Sequence, residues 1–469
     1  MQEERRPLAG YWGFLVLALS LIAFKYFIVD RMPTPFRRAR LQADGTVPGI
    51  EHPVHRSYAD GLELIGHSQN PDQMPADGIL RVDLYWTVRQ QPSRRYQTVV
   101  HLVGPNGFRW SRQDSFRPRD YQGSPPTYSW TPGRYAVDSH EIEPLSGVPP
   151  GRYDVVLTVF DRETLAPLSV LNEQGQPTAP ELTLNQVTLI APRVPADPSD
   201  LCIRHRFDAS LGSVTLLGAD FDRDEAVPGD PVWVTTFWHV DEQLDEDLTL
   251  RLELVAPQGS PVAEYARSPV APWHPTSAWR PGNVWRGQQL LYLPADLDTA
   301  TYTWSLSLFP PSASLVTLSK LSVTAPNRTF TSPTVDIETD TRLGDVATLV
   351  GASVKPRISA LSAGSTLTVT LVWRAEVETD TSYHVFVHLV GPDGRLMAQS
   401  DSVPANWTRP TTGWLAGEYV TDEHELTLPE DAPSGDYQLY AGLYAPDGRR
   451  LLTPEGADTI RVTTMTVER

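Results

Sequence analysis

Two sets of residues in this chain have types and spacings that could do chemistry. The first is aromatic. Trp130, Trp279 and Trp414 each close a Pro-Thr-x-x-Trp segment, with a glycine three residues on at Gly133, Gly282 and Gly417; the unshared Trp273, Trp285 and Trp407 stand nearby. Indole rings next to polar groups such as Asp401, Asn406 and Glu418 suit a sugar, whose CH groups stack on the ring while its hydroxyls find amides and carboxylates. Trp130, Trp279 and Trp414 share one register in all three places and equally suit a plug at the end of a sandwich, which makes Trp407, Trp273 and Trp285 the better binding candidates. The second set pairs carboxylate with imidazole: Asp138 and His140 with His101, and Asp422 and His424 with His388. Residues i and i+2 of a strand share a face, so each pair offers two metal-ligating side chains together. The corresponding residues Gly287, Gln289 and Glu253 do not keep that ligand set, and hydrogen bonding that pins one strand to its neighbour is the simpler reading. No metal and no other cofactor is expected.

Catalytic motifs are missing from the sequence. It has no nucleophile elbow, no HExxH and no phosphate-cradling glycine loop, which points away from an enzyme. The acidic run from Asp241 to Asp247 reads as a solvated loop, with calcium binding the alternative. The first 40 residues carry +4, leaving −22 on the rest of a chain whose formal charge is −18. An acidic body without a basic stripe lacks the electrostatic footprint of a nucleic-acid partner. Cys202 is the one cysteine, so no intramolecular disulfide supports the fold.

The elements that must position these residues recur three times along 469 residues. An apolar pair and glycine (Leu64-Ile65-Gly66, Leu216-Leu217-Gly218, Leu349-Val350-Gly351) lead into strands ending at Trp86, Trp238 and Trp373. Fifteen residues after each of these come His101, Glu253 and His388, within strands closed by Pro-x-Gly turns. Tyr153, Tyr302 and Tyr437 open a further strand in each copy. Alternation directs Trp86, Trp238 and Trp373 inward, together with Leu250, Leu252 and Leu254, and puts His101, Glu253 and His388 on the outer face. With 43 prolines and 31 glycines, the chain is expected to be all-β: three tandem immunoglobulin- or fibronectin III-like antiparallel β-sandwiches over residues 54–192, 200–325 and 335–469. A linker over 33–53 and an N-terminal anchor over 1–32 precede them. The apolar run from Leu8 to Val29 is long enough for a transmembrane helix, with aromatic residues at both ends, which predicts a single-pass cell-membrane protein whose C-terminal body is extracytoplasmic.

The stretch from His384 to Leu451, HVFVHLVGPDG through GLYAPDGRRL, resembles the β-sandwich modules that follow the membrane domain of bacterial family-39-type glycosyltransferases. Residues 47–67, VPGIEHPVHRSYADGLELIGH, following FIVDRMPTPFRRAR, resemble the junction between the last transmembrane helix of those enzymes and the first such module. The polytopic catalytic half is absent from this chain. The resemblance therefore implies fold and location without glycosyl transfer. Together these readings predict an accessory to surface polysaccharide assembly that recognises envelope or extracellular glycan; the alternative is a structural or adhesive spacer contacting envelope proteins.

Overall fold

The computed structural model describes residues 16–24, 38–41, 47, 49–111, 127–310, 314–356 and 361–468. The protein is all-β, with six sheets among the described residues. Up to Ile190, one sheet orders Arg38–Arg40, Arg134–Ile142, Leu80–Val88, Leu62–Asn70, His52–Tyr58 and Val170–Leu171; the other orders Gln73–Pro75, Glu181–Ile190, Gly151–Asp161 and Tyr96–Val103. Next comes a sheet of Arg206–Ser210, Val214–Phe221, Pro231–Val240 and Val284–Tyr292, with a second of Glu225–Ala226, Val316–Val323, Ala300–Phe309, Thr249–Val255 and Pro261–Arg267. The last pair repeats that order. One sheet runs Ile337–Leu343, Ala347–Lys355, Thr366–Ala375 and Tyr419–Thr427; its partner runs Leu361–Ser362, Ile460–Glu468, Gly435–Tyr444, His384–Val390 and Leu396–Ser402. By contact density the chain forms two compact units, residues 1–202 with 237–244 and 270–286, and residues 203–236 with 245–269 and 287–469.

Period-two alternation builds these sheets. In the C-terminal pair, Leu367, Val369, Leu371 and Trp373 from one sheet and Val385, Val387 and Leu389 from the other are fully buried in a single core cluster. Trp86 and Trp238 are equally buried in their own strands. Each of the three opening tyrosines donates its hydroxyl to a carbonyl four residues back: Tyr153 to Pro149 O at 2.6 Å, Tyr302 to Asp298 O at 3.1 Å, Tyr437 to Pro433 O at 2.8 Å. A buried phenol thus meets its hydrogen-bond requirement while fixing the turn that enters its strand.

Two expectations are corrected. The sheets are not purely antiparallel, because Gln73–Pro75, Glu225–Ala226 and Leu361–Ser362 each pair in parallel with the last strand of their sheet. These short segments cover an edge that would otherwise present unpaired N–H and C=O groups. The second correction concerns the membrane. Among the described residues no helix is long and apolar enough to cross a bilayer. The described helical residues, 16–24, account for about 14 Å at 1.5 Å per residue, against a hydrocarbon core of about 30 Å. The remainder of 8–29 lies outside the described residues, and the single-pass, extracytoplasmic placement is overturned with the span.

Candidate functional site

The six tryptophans proposed as a binding surface have very different surroundings. Trp130, Trp279, Trp285 and Trp414 are at most 2% exposed, so their rings offer no face to a ligand. Trp414 donates its indole N–H to Arg409 O at 3.0 Å, and Trp279 and Trp285 pack on the His274 ring. Trp273 is half-buried, edge-on to Tyr153, with its indole over Gly151, where a Cβ would stand 2.6 Å from Nε1. Trp407 alone of the six is open, at 62% exposure.

Trp407 owes that exposure to an unusual backbone. Ala405, Asn406 and Trp407 have φ of 53°, 50° and 70°, three consecutive left-handed residues without a glycine. Ala405 and Trp407 each cost about 1–2 kcal/mol relative to ordinary conformations, and Asn406 less, so surrounding bonds must hold the turn. Trp407 N donates to Val403 O at 2.9 Å and Arg409 N to Pro404 O at 3.0 Å. Ala405 N, at the start of the turn, donates to the Asp422 carboxylate at 2.7 Å.

Beside the turn, the outer face of the five-stranded C-terminal sheet is lined with rings. His384 stacks on Tyr444 at 5.1 Å and meets Trp407 at 5.5 Å and 78°. Phe386 lies 4.8 Å from the His388 ring and 6.3 Å from Tyr444, and the Arg450 guanidinium sits 4.3 Å above its centroid. Gly442 is directly opposite Phe386 in the ladder, and a Cβ there would lie 2.3 Å from the Phe386 ring. The missing side chain is what lets this ring lie down on the sheet.

The charges on this face are tempered by burial and by one another. Burial and the nearby Arg450 lower His388 to about 4, and burial alone lowers His384, so both imidazoles are neutral at neutral pH. The 4.0 Å approach of His388 Nε2 to Asp401 is accordingly not an ion pair there. Burial raises Asp401, with Arg450 partly opposing it. Arg450 also contacts Asp458 at 3.2 Å.

Of the polar residues named with the tryptophans, Asn406 is exposed, the Asp401 side chain is half-buried, and Glu418 is fully buried. Its two carboxylate oxygens accept from Arg328 and Arg409, each at 2.5 Å. Glu418 is thus committed to holding the loop that contains Trp414. His384, Phe386, Tyr444 and Arg450 were not singled out from the sequence. The signal was available for the first two, which alternate with the core residues Val385, Val387 and Leu389.

The Asp-x-His pairs point inward from their strands and bond to themselves and their neighbours. His424 Nε2 lies 2.9 Å from Asp422 and Nδ1 2.9 Å from Ser400 Oγ. His140 Nε2 lies 2.8 Å from Asp138, whose carboxylate also accepts from Thr98 at 2.5 Å. His101 and His388 occupy outer-face positions as alternation requires, but His101 is only 2% exposed, contrary to its expected surface setting. Among the described residues no group of three or more His, Cys, Asp or Glu could hold a metal ion.

No protein-family model and no curated protein matches the chain. Solved structures similar to part of it include the C-terminal domain of wzt, at 15% identity over 29% of this chain and 83% of that one, with a TM-score of 0.21. At that score the likeness bears on neither fold nor activity.

Proposed function

We propose that the chain is a non-enzymatic binding protein that recognises a polysaccharide through the face around Trp407. The observation that carries this reading is an indole held 62% exposed by a left-handed turn, beside the half-buried rings of His384 and Tyr444, with Phe386 buried beneath Arg450 at 1% exposure. Exposed aromatic surface bordered by Asp401 and Asn406 is what sugar stacking and hydroxyl recognition require. We further read the six sheets as three tandem immunoglobulin- or fibronectin III-like sandwiches over 54–192, 200–325 and 335–469. Supporting that reading are the buried strand tryptophans and the hydroxyl-to-carbonyl bond made in all three copies by Tyr153, Tyr302 and Tyr437. The sequence likeness to modules of family-39-type glycosyltransferases fits a role beside polysaccharide assembly.

The test is retention of the full chain on a panel of immobilised polysaccharides. Trp407→Ala should abolish retention and leave the melting temperature unchanged, since the ring is mostly in water already. Unaltered retention by the variant, or no retention of the parent chain on any polysaccharide, would overturn the proposal.

A further inference from the structure

We infer that the buried Asp422–His424 pair is a positioning device for Trp407. The inference builds on the proposed site, but its first readout, the pose of one indole, does not depend on what that site binds.

Both side chains are at most 2% exposed, and neither reaches the outer face. One Asp422 oxygen accepts the Ala405 N–H at 2.7 Å, which fixes the first residue of the left-handed turn. The other oxygen is 2.9 Å from His424 Nε2. A carboxylate only accepts, so Nε2 carries the proton and Nδ1 accepts from the Ser400 hydroxyl, 2.9 Å away. The chain of bonds therefore runs from Ser400 on the edge strand, through imidazole and carboxylate, to the backbone of the turn. Every polar atom in it is satisfied. Breaking it leaves an unpaired buried group next to a backbone conformation that non-glycine residues avoid.

The other two regions show what is specific here. Asp138 and His140 keep the pair, but Asp138 accepts from the Thr98 side chain. Gln289 stands at the register of His424 and donates to Ser268 O at 2.8 Å, with Gly287 in place of Asp422. Only in the C-terminal region, among the described residues, does the carboxylate take the N–H of a left-handed turn.

Asp422→Asn keeps an oxygen for Ala405 N–H, and its amide can donate to Nε2 once the imidazole proton moves to Nδ1 and is accepted by Ser400. Asp422→Ala supplies neither. The experiment is ¹⁹F NMR of the full chain carrying 5-fluorotryptophan, with the Trp407 resonance assigned by its loss in Trp407→Phe. In Asp422→Ala the Trp407 resonance should shift and broaden while those of the buried tryptophans stay in place, and retention on a bound polysaccharide should weaken about tenfold, the scale of one buried hydrogen bond. Asp422→Asn should restore most of both. If Asp422→Ala does not fold, Ser400→Ala, which unlocks only the far end of the chain of bonds, should move the same resonance less and in the same direction. An unmoved Trp407 resonance in a folded variant overturns the inference. A moved resonance with unchanged retention upholds the positioning role and overturns the proposed site.

Discussion

The middle and C-terminal regions build their five-stranded sheets in the same order, yet present opposite outer faces. Leu250, Leu252 and Leu254 in one, and Val385, Val387 and Leu389 in the other, are all fully buried. Between them the sequences diverge. Arg251 faces Ser307 and Ala266 and makes an ion pair with Glu264 at 3.1 Å; Glu253 faces Ser305. The matching positions are Phe386 opposite Gly442 and Asp401, and His388 opposite Tyr440 and Gln399. The middle face is a solvated polar ladder, whereas the C-terminal face is a group of rings. A sheet fixes alternate residues through its core and leaves the others free, so binding chemistry can be added to one copy without disturbing the scaffold.

The largest effect should come from the loop that differs most. Glu418, fully buried between Arg328 and Arg409, corresponds by its distance from the shared tryptophan to Asn283, whose side-chain oxygen accepts from Arg280 N at 2.9 Å. Glu418→Ala leaves two guanidinium groups without their partner and should cost about 3–5 kcal/mol in urea denaturation. Asn283→Ala should cost about 1 kcal/mol or less. Equal losses would mean that the two loops are held alike, and the contrast would fail at its root. A smaller effect is expected at Gly442. An added methyl at Gly442 meets the Phe386 ring at 2.3 Å, so Gly442→Ala should cost about 1–3 kcal/mol and weaken polysaccharide retention. Ser307→Ala, at the same cross-strand position, should stay within about 0.5 kcal/mol by thermal melting.

Much of this scaffold is legible in the sequence, because core positions declare themselves by type and period. Trp86, Trp238 and Trp373, spaced alike and flanked by alternating apolar residues, are all buried to 0%. The proposed binding face is harder to read. Alternation assigns His101 and His388 to outer faces, but it does not say what lies over them, and only His388 is left partly open, with its side chain 17% exposed. The left-handed turn at Ala405–Asn406–Trp407 has no glycine to announce it, and the Asp422 carboxylate that accepts its first N–H lies seventeen residues downstream. The apolar run at 8–29 has the composition of a membrane span, yet among the described residues no helix is long and apolar enough to cross a bilayer. Composition states what a segment tolerates, and helix length is a separate property.

The smallest expected effect sharpens the comparison through pH. His388 is lowered from 6.5 to about 4 by burial and by Arg450, so the fold favours its neutral form. As pH falls from 6.5 towards 4, the unfolded chain takes up a proton that the folded chain refuses. The stability contribution is therefore fully present above about pH 6.5 and is lost progressively down to about pH 4. His384, lowered by burial on the same face, acts in the same direction. His388→Gln cannot titrate, and its denaturation midpoint should fall less than that of the parent chain between pH 7 and pH 4.5, with His384 and the buried histidines elsewhere retaining the rest of the slope. Parallel curves would mean that the His388 imidazole is as well hydrated in the folded protein as in the unfolded chain. The C-terminal face would then be as wet as the Arg251–Glu253 face of the middle region, and the rings around Phe386 would not form the partly dry surface that sugar stacking needs.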